Sequence, residues 1–406
     1  MSVKYDGTPA TAPRRLRNIL ALDDFEVAAR RHLPRPVFGY VSGAAETNAS
    51  LHDNRAAFAE FGFLPRALID VSKRSQKREL FGTTYAAPFG IAPVGLSALS
   101  AYRGDLVLAQ AAAASGIPMI MSGTSLIRLE EIVAANPQAW FQAYVPGEER
   151  WMLALVDRVA QAGFGTLVLT VDTPVMANRE NNIRNGFSTP MRPTPRLFWD
   201  GMVRPRWSLG TFLRTIVRHG MPHFENASVE RGSAILSRNV VRQFGPKDRL
   251  SWDHFDLIRK RWKGRFIVKG IMTREDARIA LDRGADGVIL SNHGGRQLDG
   301  TASPLRVLPA VAEEIGGRIP VMIDGGFRRG TDVLKALALG ASFVFLGRPF
   351  IYAAAIGGEP GVRHAFSILH DEIDRNMALL GINTLDELHP RMLIRLARSA
   401  ESDASA

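Results

Sequence analysis

Two short segments of the 406-residue chain carry side chains whose types and spacing could do chemistry together. In SNHGGRQLD, His293 and Arg296 stand three residues apart. An imidazole titrates near neutrality and can take up a proton. A guanidinium about one turn further on presents a planar fork that matches a carboxylate through two hydrogen bonds. A structural histidine with a surface arginine would be the plainer account of that segment taken alone. In DGGFRRG and GRP, glycines let backbone amides approach an anion while Arg328 or Arg348 supplies charge, the makings of a phosphate site. A phosphate site names a phosphorylated ligand and no particular reaction.

The elements that must position these groups recur from Phe89 onward as FGIAPVG, MIMSG, WFQAYV, TLVLTVD, FIVKGI, GVILSNHG, PVMIDGG and FVFLGR. Each run is apolar throughout, as strands buried on both faces are, and a helix-like segment such as EDARIALDRGA follows. Eight consecutive units of this kind predict a closed parallel (β/α)8 TIM barrel rather than an open doubly wound sheet, and no G-x-G-x-x-G follows the first run. In such barrels the site lies at the C-terminal ends of the strands. Those ends supply Ser122, Gln142, Tyr144, Thr170, Asp172, Lys269, Ser291, His293, Asp324 and Arg348. One such residue is ordinarily a satisfied polar group; a ring of them is hard to assign to stability alone.

Residues 1–88, with helical patterning in DDFEVAARRHL, form an expected N-terminal cap; the barrel spans 89–393 and a tail 394–406. An insertion at 186–235 follows the fourth strand. Within 186–224 six arginines face a single acid, Asp200, among Phe198, Trp199, Trp207 and Phe212. That composition suits an active-site lid, an interfacial membrane segment, or both. The chain has no cysteine, which excludes disulfides and thiolate chemistry, and no metal site is expected. Its formal charge of +11 is compatible with nucleic acid, an anionic membrane or anionic small ligands. The N-terminus lacks the apolar stretch of a secretory signal, so a cytoplasmic location is expected. Leu80–Tyr102 and Leu106–Ile127 are uncharged enough to look like spans only if Pro88, Pro93, Pro118 and the intervening polar residues are ignored.

With YVSGAAE, APVGL, WFQAYV, TVDTP, NRENNIRN, VKG, SNHGGRQLDG, DGGFRRGTDV and LGRP in order, the chain from about Asp23 to Leu393 resembles the FMN-dependent 2-hydroxy acid dehydrogenase and oxidase family. The resemblance implies that Pro93, Val94 and Gly95 line one flavin face, and that Ser122, Gln142 and Thr170 bond its ring. Lys269 would sit at the pyrimidine end, where negative charge collects on reduction. Ser291 would contact the ribityl chain, and Asp324, Gly325, Gly326, Phe327, Arg328, Gly347 and Arg348 would cradle ribityl and phosphate. Arg179 and Arg296 would grip the substrate carboxylate, with Tyr40 and Tyr144 hydrogen-bonding substrate. His293 would be the base. Asp172 would orient the imidazole and favour its protonated form.

The resemblance further implies oxidation of an L-2-hydroxy acid. Thr124, where glycolate oxidase carries a bulky aromatic, leaves room for lactate first and mandelate or a longer acid second. Gly95 and the insertion are more like lactate and mandelate dehydrogenases, so a quinone or cytochrome acceptor is expected over oxygen. A soluble oxidase producing hydrogen peroxide is the alternative. Peripheral attachment to the cytoplasmic face of the inner membrane and a homotetramer are the implied partners' side of this reading, without nucleic acid. An FMN- or phosphate-binding barrel isomerase would need the DGG and GRP segments but not His293 with Arg179 and Arg296. A non-enzymatic basic binding protein would not need the strand-end ring.

Overall fold

The structure is a computed structural model that describes residues 13–188, 192, 194–226, 231–237 and 247–396. Eight parallel strands form the barrel: β1 (Phe89–Ile91), β2 (Ile120–Ser122), β3 (Trp140–Ala143), β4 (Thr166–Thr170), β5 (Arg265–Ile271), β6 (Gly287–Leu290), β7 (Val321–Asp324) and β8 (Phe343–Leu346). Neighbours pair in the circular order β1-β8-β7-β6-β5-β4-β3-β2. A bridge between Ile91 and Met119 and the bond from Ile91 N to Pro118 O (2.9 Å) close the ring. The eight apolar runs therefore occupy the eight barrel strands, and the open-sheet alternative falls.

The runs are continuous rather than alternating because both faces are covered. Inside the barrel, Ile120, Trp140, Val168, Ile267, Ile289, Met322, Phe343 and Phe345 fill one cluster with Leu80 and Tyr85. Those last two come from a short antiparallel hairpin, Arg78–Leu80 with Thr83–Tyr85, which stops the N-terminal mouth. Outside, the strands pack on amphipathic helices whose starts are set locally. Thr273 Oγ1 accepts from Asp276 N, and Ser303 Oγ accepts from Leu305 N with Pro304 at the first helical position.

The cap comprises helices α1 (Leu22–His32), α2 (Arg35–Ser42) and α3 (Ala49–Ala56). Leu22, Phe25 and Ala29 bury one face of α1 against the final helical run, Arg348–Leu380, which breaks at Gly358, a residue in the left-handed region. The sequence-predicted tail from 394 begins too early. Leu393–Arg395 is a strand paired antiparallel with Phe61–Phe63, so Ile394 and Arg395 belong to the cap's packing; residues 397–406 lie outside the described residues.

After β4 comes a short helix, Glu180–Asn185, and the insertion then folds as Pro195–Met202, Pro205–Trp207, a π-helical Ser208–Leu213 and Arg214–His219 among its described residues. Trp207 is buried and its indole N–H donates to Leu99 O at 2.8 Å, so this ring, expected at an interface, instead anchors the insertion to the barrel. Phe198, Trp199, Met202, Val203, Leu209, Leu213 and Val217 remain exposed on it.

Candidate functional site

The C-terminal strand ends bring the predicted ring together. Lys269 on β5 donates from Nζ to Ser291 Oγ at 2.7 Å and lies 3.1 Å from Asp324 Oδ2 at the end of β7. Ser291 Oγ also accepts from His293 N at 3.0 Å. This bond helps hold His293 at a φ of 57°, left-handed backbone that is uncommon for a residue other than glycine and that recurs at functional sites.

His293 Nδ1 stands 2.9 Å from Asp172 Oδ1, and its Nε2 stands 3.3 Å from the Tyr144 hydroxyl. The imidazole is thus held at one nitrogen by a carboxylate while the other faces a phenol. Burial lowers the His293 pKa, Asp172 raises it, and Lys269 and Arg179 lower it further; the net shift is downward. Asp172 acts upward in the expected sense, and desolvation outweighs it, because the neutral ring loses less on leaving water. For Asp172, burial acts upward, but His293 and Lys269 hold its carboxyl below the usual range. At neutral pH the pair is therefore a neutral imidazole on an ionised carboxylate.

Two arginines flank this pair. Arg296 donates from Nη1 to Tyr40 O (2.6 Å) and Gly43 O (2.7 Å), and its guanidinium lies over the Tyr40 ring. Arg179 donates from Nε to Arg296 O (3.0 Å) and from Nη2 to Gln297 Oε1 (2.8 Å). Burial, and after it the neighbouring Arg179, push the Arg296 pKa down to about 9. Tyr40 stacks on Phe187 with centroids 4.5 Å apart, so the insertion's first turn also supports the site.

The remaining ring suits a polar heterocycle and a phosphate. Gln142 Oε1 accepts from Ser122 Oγ (3.2 Å) and Gly123 N (3.3 Å), which leaves its amide N–H groups to donate elsewhere. Gln142 Nε2, Thr170 Oγ1 and Asp324 Oδ1 are buried without a hydrogen-bond partner among the described residues. Such orphans are costly unless a ligand satisfies them. Gly325 and Gly326 have φ of 107° and 83°, and a Cβ on Gly326 would come within 2.1 Å of Asn54 O. Only glycine fits there. Arg348 donates to Val41 O, Gly43 O and Gly294 O, while Arg328 donates to Phe327 O and lies 3.2 Å from Asp23. The cap thus anchors both guanidinium groups. Pro93, Val94 and Gly95 follow β1; a Cβ on Gly95 would sit 2.1 Å from Thr124 Oγ1 and 3.3 Å from the Tyr40 hydroxyl. The residues present fit a flavin mononucleotide.

Against known proteins, the profile of the FMN-dependent dehydrogenase family matches residues 29–395. The chain belongs to that family. It is accordingly an FMN-dependent oxidoreductase. It is 40% identical to an L-lactate dehydrogenase of Caulobacter sp. (strain K31), with 94% of this chain and all of that protein covered. It is 38% identical to the (S)-mandelate dehydrogenase of Pseudomonas putida over 93% of this chain and 94% of that protein. A crystal structure of the monotopic membrane protein (S)-mandelate dehydrogenase superposes with a TM-score of 0.87 at 37% identity, covering 93% of this chain and the whole of that one.

Sequence reasoning missed several supports. Asn54 on α3 and Asn292 exchange amide hydrogen bonds of 2.9 Å both ways, buried beneath the Gly325–Gly326 turn. Gln297 ties Arg179 to Asp172 O. Lys247 lies over the Tyr144 ring, 4.5 Å from its centre. Asn292 and Gln297 sit inside the quoted SNHGGRQLD motif, so that motif was the available signal for them; nothing local singles out Asn54 or Lys247.

Proposed function

We propose that the protein oxidises an L-2-hydroxy acid to the 2-oxo acid, lactate first and a mandelate-type acid second, and passes the electrons to a quinone or cytochrome. The observation that carries this reading is the contact chain Asp172–His293–Tyr144 flanked by Arg179 and Arg296, on the same rim as Lys269, Ser291 and Asp324. Arg296 is anchored through Nη1, so Nε and Nη2 can donate to a carboxylate; Arg179 has Nη1 left for the same anion. Tyr40 and Tyr144 would complete the grip. With the carboxylate fixed, the 2-hydroxyl falls to the only neutral base of the cluster, His293 Nε2, while the ionised Asp172 stabilises the imidazolium that forms. FMN supplies the two-electron acceptor. Lys269 would hold a fixed cation where that acceptor gains negative charge, and the orphaned Gln142, Thr170 and Asp324 atoms would bond its polar edge.

His293→Gln tests the assignment: it should retain FMN yet lose substrate-driven bleaching by a hundredfold or more, the usual order for removing a general base, roughly 10²–10⁴. A variant that reduces its flavin at the parent's rate removes His293 from the mechanism.

The same proposal places residues 186–224 on the cytoplasmic face of an anionic membrane. It is supported by the exposed apolar side chains and exposed Arg192, Arg196, Arg206, Arg214 and Arg218 of the insertion, and by the similarity to a monotopic membrane enzyme. No helix among the described residues is long and apolar enough to cross a membrane. Assembly as a homotetramer belongs to this reading through the family resemblance.

A further inference from the structure

Between the cap and the segments that follow β4 lies a second cavity, of about 770 Å³. Helices α1 and α2 form two of its sides, and Asn185 and Arg204 close it from the third. The walls meet tightly at one edge, where a Cβ on Gly39 of α2 would come within 2.6 Å of the Asn185 side chain. None of the residues assigned above to the flavin ring or the substrate grip lines this cavity among the described residues.

Its charged side chains are unevenly matched. The two acids on the wall are engaged: Asp23 by Arg55 at 3.0 Å and Arg328 at 3.2 Å, and Glu26 by Arg328 at 3.7 Å. The cations are not. The guanidinium groups of Arg30 and Arg35, both on exposed residues, make no hydrogen bond or ion pair to any described residue. Arg204 makes one long contact, from Nη1 to Asp200 Oδ1 at 3.4 Å, and its buried Nε has no partner among the described residues. Three guanidinium groups therefore line one opening with only Asp200 set against them. The rest of the wall is partly apolar, with Phe38 and the exposed Val27. Arg204 itself directly follows Phe198, Trp199, Met202 and Val203, all exposed. A cationic cavity that adjoins an exposed apolar surface has the polarity of a site for an anionic amphiphile.

We propose that this cavity takes the phosphate-bearing headgroup of an anionic phospholipid, with Arg30, Arg35 and Arg204 around the phosphate and the acyl chains running out over the exposed side of Pro195–Met202. A guanidinium fork matches two phosphate oxygens at once. Ser42 and Asn185 on the wall supply polar groups for the headgroup alcohol. The inference rests on the placement of the insertion at an anionic membrane. It adds a saturable site that attraction between surface charges does not require.

The test uses the FMN-loaded full chain, a cavity variant carrying Arg30→Gln with Arg35→Gln, and a control carrying Arg196→Gln with Arg218→Gln. The control removes the same charge from exposed positions that do not line the cavity. Co-sedimentation with vesicles of phosphatidylcholine, with and without phosphatidylglycerol, is measured at low salt and at about 0.5 M, where the screening length falls to about 4 Å. At low salt both variants should bind the phosphatidylglycerol vesicles less well than the parent. At high salt the control should match the parent, while the cavity variant should stay about tenfold or more weaker, the order for a charge-assisted contact. Calorimetry with sn-glycerol 3-phosphate and inorganic phosphate supplies the soluble arm. Glycerol 3-phosphate should bind the parent at one site per chain and the cavity variant about tenfold more weakly. Equal losses by both variants at both salts reduce the effect to surface charge and overturn the inference while the membrane placement stands. A parent that binds the vesicles but not glycerol 3-phosphate overturns it as well. A parent that ignores the vesicles overturns the placement; if it still binds inorganic phosphate through Arg30 and Arg35, the ligand is a soluble phosphate and the lipid assignment falls with it.

Discussion

Replacing Asp172 with asparagine separates the charge of this residue from its shape. Asp172 Oδ1 is 2.9 Å from His293 Nδ1, with both side chains largely buried. When His293 takes the substrate proton, an imidazolium forms against that carboxylate. At an effective dielectric of about 20 and a charge separation of about 4 Å, the attraction is roughly 4 kcal/mol. Asparagine keeps one hydrogen bond and loses the charge, so the barrier should rise by about 2–4 kcal/mol, or roughly 30- to 1000-fold in rate. The pH profile should move as well. His293 already sits below its ordinary pKa because burial outweighs Asp172, and without the carboxylate nothing offsets burial, so it falls further. The reaction needs the neutral ring, so the rate climbs as pH rises through that pKa. The variant's acid limb should therefore lie at lower pH than the parent's while its plateau is far lower. Anaerobic stopped-flow of the flavin absorbance across pH reads both. A variant within about threefold of the parent, with an unmoved midpoint, would refute the base-and-counterion assignment, since a lost buried charge contact has to register.

Arg296→Lys should lower kcat/KM by about tenfold or more, because an ammonium cannot make two parallel bonds to a carboxylate; steady-state kinetics check it, and equal oxidation of 2-hydroxy acids and their neutral amides by the parent would remove the clamp. Replacing 186–224 with a short polar linker should abolish co-sedimentation with anionic liposomes. In the parent, the exposed arginines should each contribute about 1 kcal/mol that salt screens, with an apolar part that resists salt. Equal sedimentation of both proteins, or a parent that stays in the supernatant at low salt, would make the segment a lid only.

The barrel was legible because parallel strands covered on both faces read as unbroken apolar runs, and all eight runs from FGIAPVG to FVFLGR occupy strands. The site's ring was legible for the same geometric reason: strand ends converge, so polar residues there had to meet. What escaped depends on contacts between distant segments. Trp207 reads as an interfacial ring, yet its partner is a carbonyl 108 residues away. Asn54 reaches Asn292 across 238 positions. Ile394 and Arg395 look like tail until the partner strand at Phe61–Phe63 is known. The net direction of the His293 shift was not legible, because a sequence shows the neighbouring acid that raises its pKa but not the depth of burial that lowers it.

The most direct measurement is an anaerobic titration of the purified, FMN-loaded protein with the L- and D-enantiomers of lactate, malate, 2-hydroxyglutarate and mandelate. The account predicts that an L-acid bleaches the flavin, that one 2-oxo acid forms per flavin reduced, and that the D-enantiomer leaves the colour unchanged. A flavin that stays oxidised with every L-acid, or that bleaches equally with both enantiomers, would contradict it.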